Sequence, residues 1–78
     1  MVESIFVVNK FELGWDVIDL LGDTFLQEEY CVDVLEIPDE KIYGTEMIDN
    51  GRLEIVLTDL EKSELSEDWY INLNRVSA

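Results

Sequence analysis

A chain of 78 residues with 19 Asp and Glu against 5 Lys and Arg is too short for a second domain. At a formal charge of −14 it repels DNA, RNA and anionic membrane, so direct binding to any of them is excluded as a function class. Its 47% hydrophobic content is too rich for a disordered acidic tail, and residues 1–78 read as one compact acidic domain with a thin core.

The first element is "SIFVVNK", short, β-branched and aromatic, which favours a buried strand. Gly14 ends it. From Trp15 the apolar residues fall at 15, 18, 21 and 25, with Val17 and Leu26 flanking, while Asp16, Asp19 and Asp23 line the other side, so the spacing predicts an amphipathic helix. Gly22 weakens that helix by about 1 kcal/mol relative to alanine. A break there, with Asp23 or Thr24 capping a second short helix, is the alternative.

Beyond Glu29 the helical period fails, and "YCVDVLEI" alternates acceptably as a second strand that ends at Pro38. In "TEMIDNGRLEIVL" two alternating runs flank Asn50-Gly51, the preferred two-residue hairpin turn, with Leu53, Ile55 and Leu57 on one face. "TDLE" at residues 58–61 fits a capping box and opens a short helix or helical turn over "DLEKSELSED". A final strand, "WYINLNRV", would alternate Trp69, Ile71 and Leu73 inward. The sum is an α+β fold: an antiparallel sheet of four to five strands with one main amphipathic helix packed on one face.

Catalysis is not expected, because the chain has no His, one Cys without a His partner and no glycine-rich phosphate loop. Cys31 reads as a small buried hydrophobe in a strand. Asp16, Asp19 and Asp23 are carboxylates of the kind that suit Mg²⁺ or Ca²⁺, yet they lack the loop geometry of a calcium hand, and "IDNG" departs from its pattern. No metal and no cofactor is expected. The opening "MVESIFVVNK" has an acid where a secretory signal wants a base, and no stretch reaches the ~20 apolar residues of a membrane span. A lone cysteine cannot form an internal disulfide, and the expected location is the cytoplasm.

The charge distribution is more informative than its total. Between Lys10 and Lys41 ten acids stand without a single base. On a helix the steps from 16 to 19 to 23 advance ~4.5 and ~6 Å, the same order as the ~3.4 Å between phosphates along one strand of duplex DNA. The expected contact stripe for a partner is Asp16, Asp19, Asp23, Glu28 and Glu29, with Glu61, Glu64, Glu67 and Asp68 as a second. Tyr30 or Phe11 would supply an aromatic anchor at the edge.

With its "IFVVNKFELGWDVIDLL" opening, its acid-lined helical faces and its lack of catalytic groups, the chain resembles the small acidic inhibitors encoded by bacteriophages, among them DNA-mimic and anti-defence proteins. The resemblance implies a non-enzymatic, stoichiometric block of a host protein's basic nucleic-acid-binding surface. An immunity protein or antitoxin that neutralises a basic nuclease is the alternative. A regulatory domain that docks partners through a sheet edge is a third reading.

Overall fold

A computed structural model describes residues 3–9, 11, 20, 22–48 and 51–77 of the chain. Among the described residues three strands and two helices follow in the order β1 (Glu3–Val8), α1 (Thr24–Asp33), β2 (Ile42–Ile48), β3 (Arg52–Thr58) and α2 (Asp68–Val76). Single 3-10 turns lie at Asp39–Lys41 and Glu64–Ser66. The α+β class is as expected. The sheet among the described residues, however, has three strands rather than four to five, in the order β1-β3-β2, and most of the main helix expected from Trp15 lies outside the described residues.

Strand β3 is central, and its alternating Leu53, Ile55 and Leu57 are fully buried. Both β1 and β2 run antiparallel to it, which makes them parallel to each other and obliges the intervening chain to cross over β3. The register fixes which face the helices cover. Phe6 and Thr45 are both cross-strand partners of Ile55, so the three share a face. Thr45 hydrogen-bonds Gln27 of α1, and Phe6 meets Tyr70 of α2 edge-on at 5.7 Å, so both helices lie on that one face. The opposite face carries Ile5, Val7, Glu46, Glu54 and Val56, with Ile5 62% exposed.

Two expected strands are helical. Over residues 30–37 the chain continues α1 as far as Asp33, because Gln27, Tyr30 and Cys31 form an inward stripe at helical spacing and are all buried. Packing thereby overrides the β-branched character of Val32 and Val34. Past the helix, Glu36 adopts a left-handed backbone (φ 59°), which turns Leu35 and Ile37 into the core. Over residues 69–76, Trp69 and Leu73 are one helical turn apart and buried, whereas Ile71, expected inward, is 41% exposed. Asp68 in the first turn and Arg75 in the last complement the helix dipole of α2.

Smaller expectations also shift. The hairpin forms where expected, but the pairing of Ile48 with Arg52 leaves three residues between the strands, not two. Gly51 (φ 116°) provides the left-handed conformation such a loop requires, and Asn50 lies outside the described residues. Thr58 stays in β3 with its Oγ1 lacking a hydrogen-bond partner among the described residues, so the capping box at residues 58–61 does not form. Trp15, Ile18 and Leu21 lie outside the described residues. Leu20, by contrast, is fully buried.

One buried polar side chain joins these elements. Gln27, 3% exposed, donates from Nε2 to the Leu20 carbonyl at 2.8 Å and accepts at Oε1 from the Thr45 hydroxyl at 3.0 Å. Replacing it with a side chain of like size but no amide removes both bonds, so the Thr45 hydroxyl loses its acceptor and the Leu20 carbonyl keeps only the longer hydrogen bond from the Asp23 amide at 3.4 Å. Gln27→Met is therefore expected to lose about 1–3 kcal/mol of stability, read from the midpoint of urea unfolding at an unchanged slope.

A candidate acidic docking face on helix α1

Helix α1 starts afresh after Gly22, which takes a left-handed backbone (φ 73°), and Asp23, which is extended. Asp23 caps the new helix, its Oδ1 accepting from the Leu26 amide at 3.2 Å. This is the capped second helix that the sequence offered as its alternative. The new start sets the phase of α1. With Gln27, Tyr30 and Cys31 inward, Phe25, Glu28, Glu29 and Val32 fall at i, i+3, i+4 and i+7 on the outer side. Phe25, expected in the core, is 75% exposed.

Those four residues, with Asp33 and with Asp39 from the following turn, line an open groove of about 260 Å³. Phe25 and Val32 supply its apolar lining and four carboxylates its walls; no lining residue is basic. The charges are also set against the helix. α1 has no acid in its first turn and no base in its last, where Asp33 sits at the negative end of the dipole and one turn from Glu29.

The expected contact residues divide accordingly. Glu28 and Glu29 share the groove, while Asp23 lies at the helix start with one carboxylate oxygen committed to capping. Asp16 and Asp19 lie outside the described residues. In the second stripe, Glu61, Glu67 and Asp68 are exposed, and Glu64 is engaged: its Oε1 meets Lys41 Nζ at 2.8 Å. Lys41 also donates to the Asp59 carbonyl at 3.2 Å. The hydrogen bond to Glu64 holds the Lys41 ammonium above the ordinary lysine range, against desolvation, with the charges of Glu64, Glu61 and Asp59 adding. One side of the second stripe is thus neutralised from within. Of the proposed aromatic anchors, Tyr30 is buried and Phe11 packs against it at 5.2 Å, so neither is the exposed anchor.

Sequence reasoning missed Phe25, Val32, Asp33 and Asp39 as groove residues. The signal was present in the spacing of 25, 28, 29 and 32, but extending the periodicity of 15, 18 and 21 through Gly22 assigned Phe25 to the core. Among the described residues no cluster of His, Cys, Asp or Glu is arranged to hold a metal ion. Likewise no described helix is long and apolar enough to cross a membrane. The chain matches no protein-family model, no curated protein and no solved structure.

Cys31 is buried in α1, not in a strand, and burial pushes its thiol up to about 12, with the Glu28 charge adding. A thiol so protonated is a poor nucleophile at neutral pH. Because the folded value lies above the ordinary 9.0, its contribution to stability is complete below pH 9 and is lost as pH rises toward 12. The stability advantage of wild type over Cys31→Ala is expected to shrink by about 1–2 kcal/mol between pH 8 and pH 10.5, measured by urea unfolding of both proteins.

Asp33→Lys reverses an unfavourable charge at the end of α1 and converts a repulsive Glu29–Asp33 pair into an attractive one at i, i+4. A gain of about 0.5–1 kcal/mol at low ionic strength is expected, shrinking with added salt, with thermal unfolding as the measurement.

Proposed function

We propose that this protein is a non-enzymatic inhibitor of the DNA-mimic type, which binds the basic nucleic-acid-binding surface of a partner protein through the outer face of α1. The observation that carries the reading is the groove itself. Glu28, Glu29, Asp33 and Asp39 converge on it without a basic neighbour in its lining, although the chain already bears a charge of −14. Concentrating like charge in this way destabilises a small domain and steers a cationic partner toward one face.

A cleft built for phosphates is rich in Lys and Arg and gives up its counterions on meeting an anionic array. Along α1, Glu29 and Asp33 are four residues apart, an axial rise of ~6 Å. Fixed to a helix, these carboxylates lose little conformational freedom on binding, unlike charges on a loose tail. Glu28 and Glu29 of the expected first stripe belong to this face, and Glu61, Glu67 and Asp68 of the second are exposed acids outside the groove lining.

The test is capture of partners from lysate on the immobilised protein at low salt, with identification by mass and with duplex DNA as competitor. A nucleic-acid-binding protein is expected, released both by DNA and by raised salt. The Glu28→Lys/Glu29→Lys/Asp33→Lys variant, checked for folding by circular dichroism, is expected to capture none of it. Retention of the partner in the presence of saturating DNA would refute the reading.

A further inference from the structure

Charge alone does not account for Phe25. A mimic of phosphates needs carboxylates, and a phenyl ring left 75% exposed between them, the most exposed of the large hydrophobic residues described, adds apolar area that phosphate mimicry does not use. Val32, two turns further along α1, is 36% exposed on the same side, and the groove of about 260 Å³ is lined by both. Acids on the helix (Glu28, Glu29, Asp33) and on the turn after it (Asp39) border that apolar lining.

We infer that this groove receives a basic segment of a partner protein carrying an apolar side chain between its Lys or Arg residues, the apolar group against Phe25 and Val32 and the cations against Glu28, Glu29, Asp33 and Asp39. The inference rests on α1 being the docking face and adds the chemistry of what docks there. Charge complementarity selects this occupant. A second copy of the chain would bring another −14, and nucleic acid and anionic lipid carry the same sign as the groove walls. An apolar group in the centre with charges around it is also the arrangement in which interface residues contribute most, since the rim excludes water from the anchor. The target surface therefore combines basic residues with at least one exposed Leu, Met or aromatic side chain.

Two labelled synthetic peptides with identical Lys and Arg content, one with Leu and Trp between the basic residues and the other with Ser there, test this by fluorescence anisotropy. Wild type is expected to bind the apolar peptide on the order of tenfold more tightly than the Ser peptide. In Phe25→Ser the preference should fall to about twofold or less while the weak, salt-sensitive binding of the Ser peptide persists. Val32→Ser provides a second variant at the other end of the groove, and thermal melts verify that each is folded. In Glu28→Gln/Glu29→Gln both peptides should bind more weakly. Equal binding of the two peptides by wild type, or a preference unchanged in both Ser variants, would overturn the apolar anchor and leave acidic docking in place. Absence of salt-sensitive binding to either peptide would overturn both.

Discussion

The buried amide of Gln27 is the constraint from which the rest of the arrangement follows. With Nε2 on the Leu20 carbonyl and Oε1 receiving the Thr45 hydroxyl, it ties the chain before Gly22, helix α1 and edge strand β2 together at one point. A helix on a sheet can rotate about its axis at modest expense if only apolar contacts hold it. Two directed hydrogen bonds from a 3% exposed side chain remove that freedom. Once Gln27, Tyr30 and Cys31 point inward, Phe25, Glu28, Glu29 and Val32 have nowhere to go but outward. The geometry of the outer, acidic face is thus decided on the opposite side of the helix.

Stability and charge display oppose one another in α1, and the structure shows where each prevails. At the start of the helix they agree, since Asp23 both adds to the acidic surface and caps the Leu26 amide. At the end they conflict, because Asp33 faces the negative pole of the dipole without a base to compensate. The region around Lys41 is resolved differently, with one ammonium shared between Glu64 and the Asp59 carbonyl. Local acid density is therefore a poor guide to function by itself. A carboxylate beside an exposed phenyl group and one bound to a lysine contribute differently to a partner, although both count equally in the net charge.

How much of this was legible in the sequence depended on whether neighbours along the chain or across the sheet made the decision. β1 announces itself through its run of β-branched and aromatic residues, and the hairpin with its buried row of Leu53, Ile55 and Leu57 through alternation, because a half-buried strand imposes a period of two on its own residues. The cap at Asp23 was legible as an alternative, since a glycine followed by an acid is a local signal. The segments at 30–37 and 69–76 were not. Each carries β-branched and aromatic residues that suit a strand, yet the first is helical as far as Asp33 and the second throughout, because their buried residues, Tyr30 and Cys31 in one and Trp69 and Leu73 in the other, face inward at helical intervals. For the candidate site, Glu28 and Glu29 could be read from charge, whereas Phe25 required knowing that the periodicity restarts after Gly22.

The last feature of the chain reaches back to the first. Ser77 bridges to Val8, and the Asn9 amide donates to the Val76 carbonyl at 3.3 Å, just past the C-terminal end of β1. Since β1 also pairs with β3, from Glu3 opposite Thr58 to Val8 opposite Leu53, its partner strand is synthesised only after the 43 residues that separate the two. Until then an apolar, β-branched segment has no complementary strand, and closure requires contacts between remote parts of the polypeptide. The same net charge of −14 that the folded surface displays also works against association of chains whose sheet has not yet closed.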